Sequence, residues 1–406
     1  MENKSLEAHL ACIQSAQKHL EGILDPTGLI YSDYFSSQYS NHIYLKPENL
    51  QRTGAFKIRG AYNRIAELTE EERAKGIITA SAGNHAQGVS YASRAFKAPC
   101  TIVMPETTPL IKIESAKEKG AEIVLFGASY DEAYNKALSL SKETGATFVH
   151  AYDDYGVIYG QGTIALEMLE EIPELDEIVV PIGGGGLISG IALAAKAIKP
   201  SIRIIGVEPE GADSMSRSLA KGEITVLERC QTCAEGVAVK KVGENTLACV
   251  KDYVDGIITV PEEDIMEAVL LLIEKHKLVA EASGVLPLAA LKHLNTRNKN
   301  VGCVISGGNI DMVTISSMIN TGLVTRGRIF AFTVELPDKP GELLEIATIL
   351  SKLRANVIAL DHNQFKATDR YQKVLLEVTA ETNGPDHIKE IMAALFERGY
   401  EIKRSY

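Results

Sequence analysis

The chain has 406 residues, enough for two or three domains with sizeable cores. Apolar residues make up 45% and charged residues 23%, the balance of an ordinary globular protein. The formal net charge of −11 argues against nucleic acid as a partner, because phosphate contacts need clustered Lys and Arg.

In chain order, Leu6, Leu10, Ile13 and Leu20 recur at near-helical spacing and predict an amphipathic helix. The same N-terminal stretch lacks the apolar core of a secretory signal. No apolar run approaches the roughly 20 residues of a membrane helix. No membrane partner is expected, and the cytoplasm is the expected compartment. From about residue 76 short apolar runs alternate with helical patterns: GIITAS before NHAQGVSYASRAF, CTIVMP before PLIKIESAKEKG, and EIVVPIGGGG before LISGIALAAKAIKP. Runs such as IVVPI and IRIIGV are apolar on both faces, as strands of a covered parallel sheet are. The fold class read from this is α/β, with open, largely parallel sheets covered by helices. Near residue 320 the pattern changes. NTGLVTRGR reads as a linker, and strand, helix, strand, strand, helix, strand follow in the βαββαβ order of a ferredoxin-like domain.

Six cysteines lie at 12, 100, 230, 233, 249 and 303. Cys230 and Cys233 form a C-x-x-C with no second pair or histidine to complete a zinc set, so reduced thiols and no metal site are expected.

Four stretches carry chemistry. In YLKPENLQRTGAFKIRGA, residues 44–61, Lys57 sits among Gly, Ala, Phe and Ile. Such a setting desolvates an ammonium and suits a nucleophile. IGGGGLISG, residues 182–190, runs from strand to helix, and its glycines let amides converge as a phosphate cradle. A tight packing turn is the bland alternative, for which one or two glycines suffice. No dinucleotide fingerprint or P-loop is present, which disfavours a nicotinamide-dependent oxidoreductase. TASAGNHAQG, residues 79–88, reads equally as a carboxylate-binding helix start or a plain cap. CVISGGN, residues 303–309, puts Ser306 at a strand end, a common turn position. His85 and His150 read as structural histidines.

Together, KPENLQRTGAFKIRGA, SAGNHAQG, PIGGGGLISG and SGGN resemble the fold-type II pyridoxal-phosphate enzymes, and within them the threonine dehydratase family. The resemblance covers residues 5–320. It implies that Lys57 carries the cofactor and later acts as base, that Phe56 packs on its ring, and that Asn84 bonds the ring's 3-oxygen. It implies that amides of Gly183, Gly184, Gly185, Gly186 and Leu187 hold the phosphate, and that Ser306 faces the pyridine nitrogen. Ser81, Ala82, Gly83, Asn84 and His85 would grip a substrate carboxylate. Where racemase relatives carry a second serine this chain has Ala82, which cannot move a proton, so racemisation is not expected. VEPEGADS, residues 207–214, resembles a cation-binding loop of those relatives through Glu208 and Ala212. Ser214 stands where an acid is expected, which disfavours a divalent metal there and suits a water or monovalent cation at least as well.

The segment around VELPDKPGELLEIATILSKLRANV resembles an ACT domain, a binder of small effectors, with Asp338, Gly341 and a nearby Asn356 as effector-binding residues. The implied organisation is a catalytic domain over 1–320 with a smaller subdomain over 47–153, a linker over 321–328, and the ACT domain over 329–406. The implied activity is elimination of water from L-threonine to give 2-oxobutanoate and ammonia, with L-serine giving pyruvate. Isoleucine or valine is the implied effector, and a homotetramer the implied assembly. A serine or 3-hydroxyaspartate dehydratase, and a silent amino-acid sensor, remain the alternatives. Isoleucine synthesis and threonine breakdown are both open as settings.

Overall fold

The computed structural model describes residues 4–363 and 373–405. It divides into two compact units, Met1–Ile310 and Asp311–Tyr406. The strands of the first unit are β1 (Ile30–Tyr31), β2 (His42–Pro47), β3 (Ile77–Ala80), β4 (Cys100–Met104), β5 (Glu122–Leu125), β6 (Thr147–Phe148), β7 (Glu177–Pro181), β8 (Arg203–Pro209), β9 (Gly256–Val260) and β10 (Asn300–Ile305). They form two sheets. The smaller, in the order β5-β4-β3-β6, is wholly parallel. The larger, β1-β2-β10-β7-β8-β9, is parallel except for β1 at its edge. Every residue of β3 and β7 is buried, as expected for strands covered on both faces.

The sequence reading places no strand before residue 76, yet β2 lies inside the larger sheet beside β10. Its alternating His42, Tyr44 and Lys46 look like an exposed face. Lys46 is nonetheless 1% exposed, because its ammonium donates to the Thr27 carbonyl and to Glu167. Paired burial of this kind is invisible in a hydropathy pattern.

One helix organises the first unit. Tyr155–Glu171 is buried along most of its length and capped by Asp154, whose carboxylate accepts from the Gly156 and Val157 amides. On one side it meets helix Lys57–Ala66. A Cβ on Gly160 would fall 2.4 Å from the Arg59 carbonyl oxygen, and one on Gly60 would fall 2.6 Å from that of Val157. On another side it meets helix Gly186–Ile198. There a Cβ on Gly190 would lie 2.2 Å from the Ile158 carbonyl oxygen, and one on Gly162 would lie 2.8 Å from that of Gly190. Backbone thus touches backbone at both contacts, which holds the two flanking helices in fixed positions.

Arg59 adds a polar lock. It is fully buried and bonds both oxygens of buried Glu48, Thr163 Oγ1 and both oxygens of Glu167.

The second unit contains helix Met312–Thr325, then β11 (Ile329–Pro337), helix Glu342–Lys352, β12 (Asn356–Asn363), β13 (Lys373–Glu381), helix Pro385–Glu397 and β14 (Ile402–Arg404). These last six elements have the βαββαβ order. Their antiparallel pairings give the sheet order β12-β13-β11-β14. The stretch expected as a linker, 321–328, is helical through Thr325. Asp311 caps that helix, and Ile315, Met318 and Gly322 make a buried stripe at helical spacing; the polar Asn320 and Thr321 hide this periodicity.

Gly160→Ala should cost about 1–3 kcal/mol, the usual penalty of overpacking, read as a lowered urea midpoint. Unchanged stability would mean that the helix contact is not a tight constraint. Arg59→Ala, which leaves buried Glu48 without its cationic partner and Glu167 with Lys46 alone, should cost about 3–5 kcal/mol in the same measurement; a loss near zero would remove the lock from the account.

Candidate active site

Lys57 is the first residue of its helix, and the turn before it is sewn to the turn after β10. Gly54 adopts φ +71, a left-handed conformation open to glycine, and a Cβ there would fall 2.4 Å from Asn309 Oδ1. Ala55 bridges Gly307, the Phe56 amide donates to the Ser306 carbonyl at 3.0 Å, and the Gly308 amide donates to the Gly54 carbonyl at 2.8 Å. These links place Lys57, Phe56 and the buried Ser306 together. The Lys57 ammonium donates to the Ala151 carbonyl at 2.7 Å and lies 5.2 Å from the Phe56 ring centre. Burial pushes it down to about 8, against an opposing pull from Glu281. A group that loses its proton so near neutrality can serve as nucleophile and base.

The end of β3 supplies the second wall. Ser81 Oγ accepts from the Gly83 amide at 3.3 Å, and helix Asn84–Ala95 starts directly after it. A Cβ on Gly83 would meet nothing within 4 Å, so a small ligand has room at this helix start. Gly88 of the same helix packs 3.1 Å from the Lys57 backbone, measured to where its Cβ would be. Asn84 Nδ2 donates to Glu281 Oε1 at 2.8 Å, and Asn84 Oδ1 accepts from Asn309 Nδ2 at 2.9 Å. His85 is buried, with Nε2 against the Val149 carbonyl at 3.1 Å. Burial, with the charge of Lys57, drives it down to about 3, so the ring is neutral.

The glycine loop joins β7 to helix Gly186–Ile198, with Gly185 at φ +93. Side chains have no space here. A Cβ on Gly184 would enter the Tyr152 ring at 2.2 Å, and one on Gly186 would lie 2.8 Å from the Tyr152 carbonyl oxygen. Thr246 Oγ1 donates to the Gly184 carbonyl at 2.7 Å. Asp153 in turn fixes Thr246 by accepting the amides of Glu244, Asn245 and Thr246. The amides of Gly183, Gly184 and Gly185 have no acceptor among the described residues. Three free amides at a helix start, with no side chain to fill the cradle, fit a phosphate group. The structure therefore brings Lys57, Phe56, Asn84 and Ser306 together. Ala151 and Tyr152, consecutive in the chain, link that group to Gly183–Leu187.

Sequence reasoning missed Glu281, Asn309, Thr246, Asp153 and Tyr152. A signal existed only for Glu281, a lone acid in the apolar run VAEASGV. Glu208, read in a cation-binding loop, has its carboxylate engaged by the amides of Met215 and Ser216 and by Ser216 Oγ. Among the described residues no group of three or more His, Cys, Asp or Glu could hold a metal, and no helix is long and apolar enough to cross a membrane.

The effector residues are not brought together. Asp338 and Gly341 follow the end of β11, whereas Asn356 opens β12, where the register aligns it with Glu381 and hence with Ile329 at the start of β11. Eight residues of strand separate the two ends, on the order of 25 Å. The expectation of a nearby Asn356 is corrected: strands joined by a helical crossover run parallel and begin at the same end. Asn356 Nδ2 instead bonds Glu381 at 2.9 Å.

Residues 20–307 match the family described as pyridoxal-phosphate dependent enzyme. The L-threonine ammonia-lyase of Thermotoga maritima is 46% identical over 96% of this chain and 98% of its own. The catabolic L-threonine dehydratase of Staphylococcus aureus is 43% identical over 77% and 92%. Among solved structures, the processed form of threonine deaminase isoform 2 from Solanum lycopersicum superposes with TM-score 0.76 at 36% identity, covering 80% of this chain and 90% of that one. Maize serine racemase gives 0.73 at 37%, covering 78% and 98%. The chain belongs to the pyridoxal-phosphate dependent enzyme family.

Proposed function

We propose that this protein is a threonine ammonia-lyase, which converts L-threonine to 2-oxobutanoate and ammonia and L-serine to pyruvate. The observation that carries the reading is a desolvated Lys57 whose turn is bonded to the Ser306 turn, beside an empty-handed glycine cradle. Near-full-length similarity to proteins named for this reaction supports it.

The bound cofactor supplies an aldehyde carbon for amines and a conjugated ring that accepts electron density from Cα. The amides of Gly183, Gly184, Gly185, Gly186 and Leu187 would hold its phosphate, and Phe56 and Asn84 would be the side chains that receive its ring. Ser306 would be the residue at the ring nitrogen, where an uncharged hydroxyl would not favour a protonated ring as a carboxylate would. Substrate carboxylate is held at the helix start by Ser81, Ala82, Gly83, Asn84 and His85. Neutral His85 contributes orientation there without charge. Lys57 is the base that takes the Cα proton. With its ammonium near 8, roughly a tenth of the side chain is neutral at pH 7, against well under a thousandth for an ordinary lysine. Ala82 leaves the opposite face without a proton donor, which favours elimination over racemisation.

The same reading extends to regulation. The catalytic domain corresponds to the first unit, and the βαββαβ unit over 329–406 is an ACT domain that binds isoleucine or valine at the Asp338–Gly341 loop. Gly341, at φ +106 with nothing within 4 Å of its would-be Cβ, leaves that loop open to a ligand. A cytoplasmic homotetramer is the assembly in which such control would operate.

Purified protein should release 2-oxobutanoate and ammonia from L-threonine, with isoleucine or valine altering the rate. Cofactor retained with no turnover of threonine or serine would overturn the substrate assignment. Turnover indifferent to both effectors would overturn only the regulatory part. Lys57→Ala should lower turnover by at least ~100-fold, the range of a lost general base. Gly184→Ala should weaken cofactor retention about tenfold or more, since its Cβ displaces Tyr152 from the cradle; retention as in the parent protein would argue against the phosphate site.

A further inference from the structure

Glu281 is placed where a purely structural role does not account for it. Its backbone amide donates to the Gly307 carbonyl at 3.1 Å, next to Ser306, and its Oε1 accepts from Asn84 Nδ2 at 2.8 Å. That oxygen is clamped between two backbones. A Cβ on Gly236 would lie 3.1 Å from it, and one on Gly307 would lie 3.0 Å from it. The other oxygen, Oε2, takes no hydrogen bond among the described residues. A glutamine would satisfy Asn84 equally well, yet the position carries a carboxyl, with the desolvation cost that a buried charge brings.

We propose that Glu281 is the positioning carboxyl of this site, which orients Asn84 through Oε1 and controls the proton on Lys57 through its charge. The proposal rests on the reading of Lys57 as the cofactor-bearing base. Asn84 has both ends engaged, by Glu281 on one side and Asn309 on the other, so its amide cannot flip without losing both bonds. Lys57 and Glu281 influence each other's titration, the carboxylate favouring the ammonium and the ammonium favouring the carboxylate. Burial raises Glu281 to about 7, against the hydrogen bond from Asn84.

The other titratable groups that bear on this pair come from four segments of the chain. Lys112 of helix Leu110–Glu118 lowers Glu281 and Glu235 of the turn Glu235–Val237 raises it, while those two bond each other at 3.0 Å. His85 and His150 feel the charge of Lys57, and burial lowers both, so they are neutral where the pair titrates. Lys57 and Glu281 are therefore left as the groups whose charges act on each other. Ionised Glu281 holds a proton on Lys57. Protonated Glu281 lets it leave.

The sign is fixed. Glu281→Gln keeps an acceptor for Asn84 and removes the negative charge, so the Lys57 titration should move to lower pH by about one unit, the scale of one nearby opposite charge. The test is pH-resolved labelling of Lys57 by trinitrobenzenesulfonate in the full chain stripped of cofactor, read by mass spectrometry, with circular dichroism confirming the fold. The acidic limb of kcat for the loaded protein, which reports the amine once substrate has displaced it, should move the same way. Glu281→Ala should show the same Lys57 shift and, in addition, weaker cofactor retention through the freed Asn84. A Lys57 titration unchanged in both variants would overturn the proposal, as would a shift in Glu281→Ala without one in Glu281→Gln. Absence of threonine turnover would leave the Lys57 titration readable, so failure of the lyase reading is distinguishable from failure of this one.

Discussion

Backbone contact at Gly160 and Gly162 is the constraint on which the site depends. Helix Tyr155–Glu171 approaches helix Lys57–Ala66 through the first and helix Gly186–Ile198 through the second, at separations that any side chain would forbid. One of these neighbours begins with Lys57, and the other begins at the glycine loop. Their relative placement is thus set by a shared packing partner that contributes no chemistry. Interiors packed at crystal-like density transmit small displacements, which is why a methyl group at Gly160 reaches the site.

Against this rigid frame the site holds its charges at some electrostatic cost. Lys57 is held below its ordinary range and Glu281 above its own, both by burial. A few residues away, the quartet of buried Lys46, Glu48 and Arg59 with partly exposed Glu167 is charge-balanced and bonded throughout. The contrast separates two uses of buried charge. The quartet neutralises itself and fixes helix Lys57–Ala66, while the lysine and carboxyl of the site are left near their titration points, where the charge of one shifts the titration of the other.

Much of this was legible in the sequence because it is written in local patterns. IVVPI followed by four glycines announces a buried strand that turns directly into a helix, and β7 and its loop have that form. The desolvated setting of Lys57 is legible in its apolar neighbours. Other features depend on partners far away in the chain. Lys46 looks solvent-facing until Thr27 and Glu167 are brought to it. Thr246 and Asp153 shape the glycine loop from 62 and 93 residues away from their respective partners. Asn356 was misplaced because proximity in sequence to a helix end says nothing about which end of the sheet the next strand opens.

The most direct test of the central claim is borohydride reduction of the cofactor-loaded protein followed by peptide mass spectrometry. The account predicts that the reduced cofactor is found on the peptide containing Lys57, and that L-threonine added before reduction diminishes this adduct. An adduct on another lysine, with Lys57 unmodified, would contradict it.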